Sequence, residues 1–144
     1  MSRPAEPRVN VREAQPDEAE TVLAVWRAAD SAPSVTDTVE SVRAAAARDG
    51  TWLLVAEEDG RVVGTVLAAW DGWRGHFYRL AVLPEHRRRG IGLALVREAE
   101  ERLRGAGARR FSAIVLLDHA DAAGFWAAAG YDHQVAAGRF TKTA

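Results

Sequence analysis

Residues 80–93, LAVLPEHRRRGIGL, decide how this chain is read. Leu80, Ala81, Val82 and Leu83 form the short apolar run of a buried strand. Pro84 has no N–H for a sheet ladder, so the strand is expected to end there. Arg87, Arg88 and Arg89 follow, then Gly90, Ile91 and Gly92, and Leu93 begins an amphipathic run. Glycines at a helix mouth let the backbone come close to a ligand and turn its N–H groups toward an anion. Arginines beside such a mouth add charge and forked donors suited to phosphate. Taken alone, the basic cluster also reads as a solvated turn or a weak nucleic-acid patch. The strand and proline before it, and the Gly-x-Gly helix start after it, favour a phosphate site. A dinucleotide-binding β-α-β unit is a poor fit, because no third glycine follows at the right step. A P-loop fails for want of Gly-Lys-Ser/Thr.

The rest of the composition narrows the class. At 144 residues there is room for one domain, expected over 1–144 with a loose, Pro-rich segment at 1–7. The net charge of -1 makes the basic cluster a local feature and argues against a nucleic-acid partner. With no cysteine, the chain has no disulfide framework, no thiolate zinc site and no Cys nucleophile; no metal is expected. No stretch approaches membrane-spanning length, and the first residues lack the apolar core of a signal peptide, so the expectation is a cytoplasmic protein that does not engage a membrane.

Working outward, Val9 and Val11 alternate with polar residues as in a first strand. Pro16, Asp17 and Glu18 open a helix on which Ala19, Val22, Leu23, Trp26 and Ala29 share a face. Asp37 or Thr38 caps a second helix over 39–48. Residues 52–57 and 61–70 are β-rich and joined by Glu58-Asp59-Gly60, a hairpin signature. Asp71-Gly72-Trp73-Arg74-Gly75 is a second turn, leading to the strand at 76–83. After the opening motif, Ile91, Ala94, Leu95, Ala99 and Leu103 share a helix face. Glu98/Arg102 and Glu100/Arg104 are i,i+4 pairs, and Gly105 is the expected C-cap. Residues 110–117 read as a strand buried on both faces and parallel to 76–83. Asp118 to Asp121 offers capping groups for a last helix with Ala122, Phe125, Trp126 and Ala129 on one face, ended by Gly130. Residues 131–142 supply one more strand or a tight hairpin at 136–138. The sum is an α+β domain with a mixed, mostly antiparallel sheet and helices on both faces. If the sheet ends early, its open edge makes a homodimer an expectation.

With these elements in place, the chain resembles the GNAT superfamily of N-acetyltransferases over most of its length. Arg87-Arg88-Arg89-Gly90-Ile91-Gly92 fits the family's Gln/Arg-x-x-Gly-x-Gly/Ala loop behind a Leu-Ala-Val-x-Pro strand end. Ala122 to Tyr131 resembles the penultimate helix and its Gly-Phe ending, and the Asp71-Gly72-x-Arg74-Gly75 hairpin that of a subgroup of small bacterial members. The resemblance implies acetyl-CoA as donor and a primary amine as acceptor. It implies that Arg87, Arg88, Arg89, Gly90, Ile91, Gly92 and Leu93 hold the pyrophosphate. It implies too that the backbone of Leu80, Ala81 and Val82 pairs with the pantetheine like an added strand, with the Val82 N–H facing the thioester carbonyl.

Two positions depart from the family pattern. The usual general-acid Tyr falls on Trp126, whose indole has no titratable proton at working pH. The usual Asn that contacts CoA falls on His119, read either as a helix cap or as that contact. Trp126 itself reads as a core residue or as a wall of the pantetheine channel. A thiolate with pKa ~8.5 leaves near neutrality with modest help, and a side-chain acid adds ~10²–10⁴-fold. The missing Tyr therefore predicts a slower enzyme, or one that uses another hydroxyl. Tyr78, on the key strand, is the first candidate for substrate-side proton chemistry, with Asp71 and His76 as weaker candidates for the base. Asp71 is also a natural turn residue, and Arg74 can pair with it there. Trp70 and Trp73 beside that turn read as an acceptor-pocket wall or a dimer contact. A CoA-binding sensor with little transferase activity is the second reading of the chain.

Overall fold

Strands β1 (Val9–Glu13), β2 (Thr51–Glu58), β3 (Arg61–Trp70), β4 (Gly75–Val82) and β5 (Phe111–Ala113) form one sheet in sequential order. The first three junctions are antiparallel and β4–β5 is parallel. The structure is a computed structural model and describes residues 9–29, 31–117 and 120–144. These fall into two compact units that divide between Ala113 and Ile114.

In the first unit the hairpin chemistry works as its residues dictate. Asp59 and Gly60 both take positive φ, the backbone that a two-residue turn between twisted strands requires. Helices α1 (Ala19–Ala28), α2 (Val39–Ala47) and α3 (Ile91–Ala106) pack on the sheet. A Cβ at Gly64 would meet Leu95 and Ile91 of α3, whereas the next residue, Thr65, hydrogen-bonds Trp26 of α1. Neighbouring strand residues point to opposite faces, so α1 and α3 cover opposite faces of the sheet. The α3 stripe expected from the sequence is buried at Ile91, Leu95, Ala99 and Leu103. Between the two cap candidates of α2, Thr38 is the one whose hydroxyl accepts from the Ser41 N–H, at 3.1 Å.

Several expectations are corrected. Helix α3 runs past Gly105 to Ala106, and Gly107 is the C-cap at φ +115°. Glu98 pairs with Arg102 as expected, but Glu100 turns inward and pairs with Arg97, leaving Arg104 to Glu101. The strand expected over 110–117 is only Phe111–Ala113. Ile114 and Leu117, read as buried, are 59% and 61% exposed. The sheet pairing ends at Phe77↔Ala113, and among the described residues no ladder holds those beyond it.

In the second unit, α4 (Ala120–Ala128) ends at Gly130 with φ +97°. Trp126 is buried and sits edge-on to Phe125 and to Tyr131, with ring centroids 5.4 and 4.9 Å away. The strand or hairpin expected over 131–142 does not form. Val135 is 83% and Phe140 98% exposed, and Ala136, Ala137 and Gly138 between them have poor strand propensity. No helix among the described residues is long and apolar enough to cross a membrane.

Candidate active site

The segment between β4 and α3 is a preorganised turn. Pro84–His86 forms a 3-10 turn, Arg88 takes φ +64°, and Gly90 caps α3 at φ +80°. The first bond into the helix runs from the Ala94 N–H to the Gly90 carbonyl. The N–H groups of Ile91, Gly92 and Leu93 precede that bond and therefore lack a helical acceptor. They sit at the positive end of a 16-residue helix.

The three arginines of the loop divide. Arg87 donates to the carbonyls of Val82 and Ala29, tying the turn to β4 and to the end of α1. Arg89 and His86 both meet Glu58, at 3.0 and 2.9 Å, and Glu58 is 9% exposed. The Glu58 carboxylate thus staples the loop to the end of β2. Arg88 is exposed and enters no hydrogen bond or ion pair among the described residues. So two of the three expected phosphate donors first hold the loop in shape.

Next to this loop the outer edge of β4 has no strand partner among the described residues, and the Val82 carbonyl there accepts from Arg87. The Leu83 N–H donates to the Val63 carbonyl at 2.8 Å, on the β3 side. Alternation along a strand turns the Val82 N–H to the other edge, where pairing with β5 has already stopped at Phe77. The same strand carries a bulge. Thr65 faces Ala81 while Leu67 faces Tyr78, so β4 has one residue more than β3 over this interval. Arg79 sits there at φ +54°, a conformation costing a side-chain-bearing residue roughly 1–2 kcal/mol. A buried relay secures it: Trp26 Nε1–H donates to Thr65 Oγ1 at 2.8 Å, and the Thr65 hydroxyl donates to the Arg79 carbonyl at 3.0 Å.

Two cavities of the first unit bear on the site. One of about 310 Å³ opens on the α1–α2 face of the sheet, where Tyr78 and Arg79 of β4 meet Trp26, Asp37, Ser41 and Val42. Arg79 spans its side: it pairs with Asp37 at 2.6 Å, donates to the Ala32 carbonyl at 2.7 Å and lies over the Trp26 ring. Tyr78 is half exposed, and its hydroxyl forms no hydrogen bond among the described residues. The other cavity, about 530 Å³, is lined by Trp70, Trp73, Arg74, Arg109 and Arg110 beside the C-terminal end of α3. The length of α3 puts that cavity ~24 Å from the Gly90 loop. The smaller cavity is lined by Tyr78 and Arg79, the two residues of β4 that precede Leu80, and that reach makes it the candidate site for an acceptor.

The Asp71 hairpin has a structural explanation. Asp71 Oδ1 accepts from the N–H groups of Trp73 and Arg74 at 2.8 and 2.7 Å, and Oδ2 meets His76 Nε2 at 2.9 Å. The Arg74 and His76 bonds, then that of Trp73, hold its pKa down at about 2, which makes it a weak proton acceptor. The Arg74 guanidinium does not pair with Asp71; it stacks over the Trp73 ring at 4.1 Å. Trp73 is 71% exposed.

His119 lies outside the described residues. Arg79, Thr65 and the Asp37 carboxylate carry no site signal in the sequence. A bulge built on arginine rather than glycine leaves no local sequence signal. Trp26 and Asp37 were legible only as a core residue and a cap candidate.

A family model described as "Acetyltransferase (GNAT) family" matches residues 14–131. Among solved structures, the aminoglycoside N-acetyltransferase AAC(6')-Iy in complex with CoA superposes with a TM-score of 0.80 at 15% identity, covering 99% of this chain and 100% of that one. The aminoglycoside 6'-N-acetyltransferase AAC(6')-IG from Acinetobacter haemolyticus gives 0.78 at 20% identity, covering 94% and 99%. The PaiA N-acetyltransferase from Thermoplasma acidophilum, in complex with coenzyme A, gives 0.75 at 18% identity, covering 84% and 87%. At these identities the structural likeness speaks for the fold.

Proposed function

The chain belongs to the GNAT acetyltransferase family, and from that premise we propose that it transfers the acetyl group of acetyl-CoA directly to a primary amine. One juxtaposition carries the reading: the outer edge of β4, with the Val82 N–H turned outward, runs straight into the anion-ready turn at Gly90. A ligand with amides at one end and a pyrophosphate at the other matches both at once. The pantetheine amides pair with the outward backbone groups of Leu80 and Val82, while Ala81 faces β3 as Leu83 does. The pyrophosphate lies on the N–H groups from Arg88 to Leu93, with the Arg88 guanidinium outside it. Gly90 suits this, since open space surrounds its α-carbon.

The chemistry then needs little from side chains. The amine nitrogen forms a bond to the thioester carbon, and the Val82 N–H stabilises the charge on the carbonyl oxygen. The C–S bond breaks and its electron pair leaves on sulfur. The amine sheds two protons overall, one before attack and one from the tetrahedral intermediate; one ends on the CoA thiol and one in solvent. Tyr78, on the acceptor-cavity face of β4, is the hydroxyl that relays a proton, since the indole of Trp126 cannot.

The test has two steps. A ligand that binds only the folded state at 100 times its Kd stabilises it by about 2.7 kcal/mol. Saturating acetyl-CoA therefore raises Tm by several degrees, and no rise would sink the proposal. Thiol release on a panel of primary amines then measures transfer. A Tm rise without turnover of any amine gives preference to the CoA-sensor reading, which the indole at Trp126 also favours.

A further inference from the structure

We infer that the acceptor is a monoamine carried on an apolar, ring-sized body, an arylalkylamine, and not a polycation; this rests on reading the 310 Å³ cavity as the acceptor site. Among the described residues that line the cavity the single carboxylate is that of Asp37, and each of its oxygens already accepts a hydrogen bond. Oδ1 accepts from Arg79 at 2.6 Å and Oδ2 from the Ser34 N–H at 3.1 Å. The Asp37–Arg79 pair carries no net charge. A substrate bearing several ammonium groups needs a carboxylate for each one it buries, and the described lining offers no second one.

The face of Trp26 is taken as well, because the Arg79 guanidinium lies over its ring at 5.1 Å. The remaining walls are chiefly Val42, Ala45, Leu53 and Leu67; among the described lining residues the Thr36 hydroxyl meets Ser34 Oγ, and the hydroxyls of Ser41 and Tyr78 form no hydrogen bond. Such walls favour a hydrocarbon body. Hydroxyls in place of carboxylates favour the neutral amine, which is the nucleophilic form. At about 310 Å³ the space is at the small end of ligand pockets. That suits a ring on a short chain better than a linked-sugar polyamine.

The experiment measures thiol release at saturating acetyl-CoA with 2-phenylethylamine, phenylalanine and kanamycin. The expected result is a kcat/KM for 2-phenylethylamine at least ~10²-fold above the other two, the scale on which pocket contacts discriminate. Kanamycin at parity or better overturns the substrate class and leaves acetyl transfer standing. Phenylalanine at parity or better overturns it too, since its carboxylate would then be drawing Arg79 away from Asp37. If no amine turns over although acetyl-CoA raises Tm, saturation-transfer NMR of 2-phenylethylamine on the enzyme–CoA complex decides, and absence of transfer overturns the class. Absence of any acetyl-CoA effect on Tm removes the acetyltransferase reading and this inference with it. Ser41→Asp is the reciprocal variant. It adds an unpaired carboxylate in the first turn of α2, where an acid is tolerated, and is expected to shrink the preference for 2-phenylethylamine over kanamycin at least ~10-fold. An unchanged ratio in a folded Ser41→Asp protein counts against the cavity's charge as the selecting feature.

Discussion

Trp26 donates its indole N–H to Thr65 Oγ1 at 2.8 Å, joining α1 to the centre of the sheet through a threonine with no solvent exposure. Thr65 passes the bond on to the carbonyl of Arg79, the left-handed residue of the β4 bulge. The relay thus connects the wall of the acceptor cavity to the strand whose edge meets the thioester in the proposed complex. Thr65→Val keeps the shape and removes the hydroxyl. It leaves the Trp26 N–H without its acceptor and the Arg79 carbonyl without its donor, at about 1–3 kcal/mol. Urea denaturation is expected to show that loss, and kcat to fall along with it because the bulge is no longer held.

Tyr78→Phe keeps the ring that lines the cavity and deletes the hydroxyl. If Tyr78 relays a proton, kcat drops by about 10²-fold or more while the acetyl-CoA effect on Tm is unchanged. An unaltered kcat would remove Tyr78 from the chemistry.

Gly90→Ala isolates the backbone of the anion site. A methyl group meets nothing within 4 Å, so the cost is conformational and not steric. Holding alanine at φ +80° costs about 1–2 kcal/mol. The expected result is a lower Tm together with a higher KM for acetyl-CoA, as the loop relaxes away from the conformation that presents its N–H groups. An unchanged KM would argue that the pyrophosphate lies elsewhere.

Asp71 gives a pH prediction whose sign follows from its depressed pKa. The folded-state value, about 2, lies below the unfolded value of ~3.9. The carboxylate's contribution to stability is therefore complete above about pH 4 and is lost as pH falls toward 2. Comparing Tm between the native chain and Asp71→Asn over this range should show a gap that is constant near neutrality and closes in acid. Near neutral pH, Asp71→Asn should leave acetyl transfer within about twofold, because the group shapes a turn; a loss on the general-base scale of ~10²-fold would restore it as a base.

Glu58 yields a prediction about the loop. Its carboxylate holds both His86 and Arg89 from a nearly buried position. Glu58→Gln weakens both contacts and is expected to raise the KM for acetyl-CoA more than it lowers kcat, because the loop and not the reacting centre is loosened. Steady-state kinetics with varied acetyl-CoA separate the two; a fall in kcat at constant KM would contradict the staple role.

The sequence by itself determined the order of elements up to β5, the antiparallel meander and the loop that opens α3. Each of these depends on local chemistry: apolar alternation along Val9–Glu13, the Asp59-Gly60 turn, Pro84 as a strand stop, and the i, i+4 stripe from Ile91 to Leu103. Its errors lie where local signals are ambiguous. An apolar run such as Ile114 to Leu117 reads as a strand whether or not a neighbour is there to pair with it. Gly105 and Gly107 both qualify as a C-cap until packing decides where the helix stops. Only the tertiary structure decided the candidate site. The bulge at Arg79, the Trp26–Thr65 relay, the Asp37–Arg79 pair and the Glu58 staple join residues 14 to 42 positions apart. Such contacts form because the sheet brings distant strands within 5 Å of one another, a proximity that no local pattern encodes.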